Sequence, residues 1–132
     1  MAPYCVGEDS EVDFYSSPGL GNASLLGKNH PNSKVIRVRA KPLAEILDEY
    51  SVNAIDALKI DVEGYEDSAL IPFFETCSPE LRPKILVIEH CHSSEWKTDI
   101  IEYLKGIGYC IRNRTRANTI LERSKQDASP HP

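Results

Sequence analysis

The sequence predicts an α/β fold in which parallel core strands are finished by a C-terminal antiparallel hairpin, and three observations carry that prediction. Two short apolar runs, Ala57 to Asp61 and Lys84 to Glu89, each precede a stretch whose apolar residues recur at helical spacing. Strand-helix alternation of this kind calls for parallel strands joined by right-handed crossovers. The second run reads Ile-Leu-Val-Ile without interruption, as a strand buried on both faces of a parallel sheet does. After it, Tyr109 to Arg112 and Thr119 to Glu122 form two strands around a polar segment, the pattern of a hairpin.

The elements follow in order along the chain. Val12 to Tyr15 is a short strand, and Val35 to Arg39 alternates apolar and basic residues as a half-exposed strand should. Between them Ser16 to Ser33, rich in Gly, Ser, Asn and Pro, reads as a loop. Leu43, Ile46, Leu47 and Tyr50 give an amphipathic helix of about two to three turns, with Pro42 near its first turn, where a missing N–H costs little. Ala57 to Asp61 is the first core strand. A helix begins at Tyr65 to Leu70, with Glu66 and Asp67 at its positive end, and Pro72 is expected to kink or restart it. Lys84 to Glu89 is the second core strand. Past a turn at Cys91 to Ser94, a helical stripe of Trp96, Ile100, Ile101, Leu104 and Ile107 runs up to Gly106 and Gly108, which stop it. The hairpin follows, and Asp127 to Pro132 reads as a frayed tail.

With 132 residues, 41% hydrophobic and 27% charged, the chain fits one domain with a real core. No apolar run approaches the length of a membrane span and no signal peptide precedes the polar start, so a cytoplasmic setting and no membrane partner are expected. A net charge of −5 argues against nucleic acid as a partner. Arg112, Arg114, Arg116 and Arg123 form a basic region near the C-terminus that reads as a solvated hairpin face rather than a phosphate site. Cys5, Cys77, Cys91 and Cys110 include no CxxC pair, which leaves reduced, mostly buried thiols as the expectation.

The nonapeptide Leu58-Lys59-Ile60-Asp61-Val62-Glu63-Gly64-Tyr65-Glu66, set before the strand end Ile88-Glu89-His90, resembles the signature of the FkbM family of S-adenosylmethionine-dependent methyltransferases. Upstream, Glu11 to Tyr15 followed by Gly21 to Leu25 resembles the family's short strand and Gly/Asn/Ser-rich loop. Val38 to Leu47 resembles its strand-to-helix segment, and Gly108-Tyr109 the start of its final hairpin. The resemblance covers residues 5 to 123. It implies a partial Rossmann-like class I methyltransferase fold, with 1–124 as a single truncated domain and 125–132 as a flexible tail. A full member of the family begins with a strand and a Gly-rich turn for the methionine end of the cofactor, then places an acidic residue for the ribose. Here Gly19-Leu20-Gly21 follows Ser and Pro in a loop and opens no helix, so the chain resembles the C-terminal, substrate-side portion.

What the resemblance implies for chemistry falls on the strand ends. Methyl transfer from a sulfonium to an oxygen is an in-line displacement that needs donor and acceptor aligned and the acceptor's proton removed. Asp61 and His90 are the expected catalytic residues, either able to take that proton. Glu63, Glu89 and His92 are expected to bind or orient the acceptor, a small molecule with a hydroxyl such as a sugar. Asp61, Glu63 and Gly64 are the expected contacts to the cofactor, S-adenosylmethionine. Plainer roles stay open beside these: Asp61 as a helix cap, Gly64 as a tight strand-to-helix turn, Glu66 as a first-turn acid, and His90 as a hydrogen-bonding loop anchor. His90, His92 and Glu89 also raise a metal site, yet strand alternation sends Glu89 to the other face, and no metal is expected. Tyr65 and Trp96 read as core aromatics before stacking platforms.

Two functions of different kind are therefore carried forward. One is methyl transfer by this chain; the other is a non-catalytic remnant, or a module that depends on a partner for cofactor binding. Losing the strands that normally flank Ala57 to Asp61 would expose an apolar edge, so a homodimer or a partner chain covering that edge is expected.

Overall fold

A computed structural model describes residues 4–16, 23–24 and 34–125. Among these residues the architecture is mixed α/β, with two four-stranded sheets and three α-helices. The strands are β1 (Cys5–Val6), β2 (Ser10–Ser16), β3 (Ala23–Ser24), β4 (Lys34–Lys41), β5 (Ala57–Ile60), β6 (Ile85–Glu89), β7 (Tyr109–Arg114) and β8 (Asn118–Arg123). The helices are α1 (Leu43–Glu49), α2 (Glu66–Thr76) and α3 (Ile100–Gly106).

The first sheet has the order β1-β4-β2-β3 and is built on the antiparallel pair β2 and β4, Ser10 to Ser16 opposite Ala40 to Lys34. Across this pair Arg37 faces Asp13 and donates to it at 3.3 Å, and Arg39 donates at 3.2 Å to Asp9, just before β2. β1 and β3, two residues each, are not legible as strands in the sequence, and β3 falls inside the expected Ser16 to Ser33 loop. The rest of that loop, 17–22 and 25–33, lies outside the described residues, as does the tail from 126 onward.

The second sheet positions the strand ends of interest. Its order is β5-β6-β8-β7, with β5 and β6 parallel, Ala57 opposite Ile85 through Ile60 opposite Ile88, and the remaining pairs antiparallel. The parallel core is thus one pair of strands, closed on one side by the expected hairpin and left with β5 as the opposite edge. The hairpin carries a bulge between Ile111 and Asn113. β6 is buried on one face rather than two: Leu86 and Ile88 are fully covered, whereas Ile85 is 41% exposed and Val87 half-buried.

Leu86, Ile88 and Leu121 from the sheet meet Ala69, Leu70, Phe73 and Phe74 of α2 and Ile100, Ile101 and Leu104 of α3 in one apolar core. Phe73 and Tyr109 pack edge-on against Phe74, with ring centroids 5.2 and 5.7 Å away. Tyr109 resolves its own polar end by donating to the carbonyl of Pro83 at 2.6 Å. Among the described residues no helix is long and apolar enough to cross a membrane.

Three sequence expectations need correction. Pro72 does not restart the second helix, which runs through it from Glu66 to Thr76. Trp96 is not on the third helix; that helix starts at Ile100, where Asp99 caps it by accepting from Ile101 N and Glu102 N, and Trp96 ends a short 3-10 turn over Ser93–Glu95. The four thiols are free, but none is buried: Cys91, in a turn, and Cys110, on the edge strand β7, are exposed, whereas Cys5 on β1 and Cys77, packed against the core at the end of α2, are half-buried.

Candidate functional site

The parallel pairing of β5 with β6 brings two strand ends side by side, Ile60 beside Ile88, so the residues that follow each strand share one rim. After β5 the chain must turn sharply to start α2 at Glu66, with five residues between. It does so with two successive residues at positive φ, Glu63 at 53° and Gly64 at 98°. The second demands glycine on two counts, since a Cβ there would also sit 2.9 Å from Glu95 Cβ. Gly64 therefore makes the tight turn, and its open side is packed by Glu95 and His92 rather than left for a ligand.

Asp61 does not cap α2. Glu66 closes the turn instead, accepting from Val62 N at 2.9 Å and Gly64 N at 3.1 Å. Its second oxygen also takes the indole N–H of Trp96 at 2.7 Å, tying the turn to a segment thirty residues away. The carboxylate is completely buried, yet every contact to it is a neutral N–H. Asp67, also buried, does parallel work: it accepts from Lys97 N at 2.8 Å and Thr98 N at 3.0 Å. Between them these two acids hold the Trp96 indole and the Lys97 and Thr98 backbone over the start of α2.

Carboxylate oxygens of Asp61, Glu66 and Glu89 all lie within 4.8 Å of one another. Asp61 is exposed, and Lys59 Nζ stands 4.0 Å from it. Glu89 is 9% exposed; one oxygen accepts from Cys91 N at 3.1 Å, and the other, Oε2, has no hydrogen-bond partner. His92 Nδ1 stands 3.2 Å from Glu63 Oε2 and 3.8 Å from Glu89 Oε2, bridging the turn after β5 to the end of β6. The Cys91 thiol beside this group is held above its ordinary range, first by the neighbouring Glu89 carboxylate and then by desolvation.

The five residues expected at the strand ends therefore separate into two sets. Asp61, Glu63, Glu89 and His92 come together. His90 turns the other way, its Nδ1 3.0 Å from Thr119 Oγ1 and its Nε2 3.3 Å from the Arg116 carbonyl, so both ring nitrogens are engaged by the hairpin. His90 lines a cavity of about 420 Å³ with Ser93, Trp96, Glu102, Arg114 and Thr119. Trp96 links that cavity to the carboxylate group, lining the one and donating its indole N–H to Glu66 of the other.

The basic residues of the hairpin are spent in part on structure. Arg112 pairs with Glu122, and Arg123 donates to the carbonyls of Pro79 and Arg82 at 2.8 and 3.1 Å. Arg114 and Arg116 are exposed.

The residues missed by sequence reasoning are Glu66, as the buried centre of the site, and Trp96, as its partner. A first-turn acid is ordinary, and only the coincidence of a buried position with a positive-φ turn marks this one. The family model for the methyltransferase FkbM domain matches residues 2–111. A search of curated proteins found no match, and neither did one of solved structures.

Proposed function

The chain belongs to the FkbM methyltransferase family, and from that premise we propose that it is the acceptor-side part of a Rossmann-like class I methyltransferase, acting on a hydroxyl of a sugar or other small molecule. The observation that carries the reading is the family match, which spans both the β5 and β6 strand ends and the turn between β5 and α2.

In this family the methyl group is supplied by S-adenosylmethionine. The described residues do not form a complete cradle for it. The one strand-turn-helix with a glycine, β5 to α2, has its amides at Val62 and Gly64 taken by Glu66 and its glycine packed by Glu95. β5 is a sheet edge with no strand beyond it among the described residues. We accordingly assign the described residues the acceptor's half of the chemistry and place donor binding outside them, with a partner chain or second copy covering the β5 edge.

On the acceptor side Asp61 is the base. It is exposed at the rim, carries no hydrogen bond from the turn, and can accept a hydroxyl proton in line with a methyl donor. Glu63 and His92, paired at 3.2 Å, orient neighbouring hydroxyls, with Glu89 behind them. His90, its nitrogens occupied, shapes the adjoining cavity beside Trp96.

The test is to titrate the 15N-labelled chain with a panel of monosaccharides and small polyols. Amide shifts concentrated at 61–64 and 89–93, and abolished by Asp61→Asn, are the expected result. Shifts confined to other surfaces would overturn the assignment.

A further inference from the structure

We infer that the strand-end carboxylates hold a hard divalent cation, of the magnesium and manganese class, with Glu89 and Asp61 as its protein ligands. Three carboxylates whose oxygens lie within 4.8 Å of one another repel strongly, the more so because Glu66 and Glu89 are buried. Among the described residues the one Lys or Arg contact to any of them is Lys59, 4.0 Å from the exposed Asp61. The charge of the two buried members is met only by N–H groups and by His92 at 3.8 Å.

Glu89 supplies the second observation. It is nine-tenths buried, and its Oε2 is left without a hydrogen bond while Oε1 is satisfied by Cys91 N. A buried carboxylate oxygen with no donor is costly, about 1 to 3 kcal/mol or more, unless something the chain does not provide sits against it. A cation meets that need and the repulsion together.

Glu66 is the least available of the three as a direct ligand. Val62 N, Gly64 N and Trp96 Nε1 already occupy both its oxygens, so it contributes fixed negative charge behind the site. Asp61 is exposed and free to turn inward. One buried and one exposed carboxylate, with water completing the shell, suits an octahedral ion that keeps several waters. The oxygen donors select against thiophilic metals. The inference concerns binding and stands whether or not the chain transfers methyl groups.

The full chain should be titrated with Mn²⁺ alone, following loss of the electron paramagnetic resonance signal of the free ion. One site per chain is expected, weakened about tenfold or more by either Glu89→Gln or Asp61→Asn as a ligand charge is lost. Glu75→Gln, an exposed acid on α2 away from the rim, is expected to leave it unchanged. Asp61 is exposed, so Asp61→Asn keeps the fold and decides the matter if circular dichroism shows Glu89→Gln to be unfolded. Wild-type protein that takes up no more Mn²⁺ than the Asp61→Asn/Glu89→Gln double variant would overturn the inference, as would unchanged affinity in a folded single variant.

Discussion

Replacing Glu66 by alanine is the sharpest perturbation of this structure, because one buried side chain closes a strained turn and fixes a distant segment. The substitution removes the acceptor for Val62 N, Gly64 N and Trp96 Nε1 at 2.9, 3.1 and 2.7 Å. Each hydrogen bond to a charged group contributes roughly 1.5 to 3 kcal/mol, and donors left buried without a partner cost a comparable amount. Against that loss stands relief of the repulsion with Asp61 and Glu89, which offsets part of it. The net destabilisation is about 3 to 5 kcal/mol, which for a domain of this size lowers Tm by roughly 10 to 20 °C. Glu66→Gln keeps the shape and one acceptor oxygen but turns an amide N–H toward a donor, and should cost about 2 kcal/mol. Urea unfolding followed by far-ultraviolet circular dichroism measures both. A Glu66→Ala variant within about 1 kcal/mol of wild type would refute the argument that this carboxylate holds the turn.

Three further predictions follow from single contacts. Gly64→Ala forces a Cβ into positive φ and to 2.9 Å from Glu95 Cβ, so the urea midpoint should fall by the equivalent of about 1 to 3 kcal/mol. Asp67→Ala frees the Lys97 and Thr98 amides; hydrogen exchange at those two positions should speed up well beyond that at α3, and equal protection would contradict the tethering role. Burial pushes the Tyr109 phenol up to about 12, so its neutral form is favoured in the fold. That stabilisation is fully present below the ordinary tyrosine range near pH 10 and is lost as pH rises toward 12, and Tyr109→Phe should flatten this part of the stability profile.

Much of the fold was legible because its signals are local. The Ile-Leu-Val-Ile run, the α1 stripe of Leu43, Ile46 and Leu47, and the paired strands of the hairpin each carry their own periodicity, and the structure places an element at every one. What was not legible depends on contacts across the chain. Pairing alone creates β1 and β3, since two residues carry no period. Trp96 continues the helical spacing of α3, but Asp99 caps the helix after it, and the indole is drawn instead to Glu66. At the site, Asp61, Glu63, Glu89 and His92 could be placed together from strand ends. The exit of His90 toward Thr119 could not, because it is set by the β6 to β8 pairing. Local alternation cannot describe a turn whose backbone leaves the extended region.

If this member of the FkbM family supplies the acceptor-side half and its donor cradle is completed elsewhere, the monomer alone holds no methyl donor tightly. Calorimetric titration of S-adenosylmethionine into the chain, with its mass measured by size-exclusion chromatography and light scattering, tests this most directly. No micromolar binding by the monomer is expected. Stoichiometric micromolar binding by a monomer would contradict it.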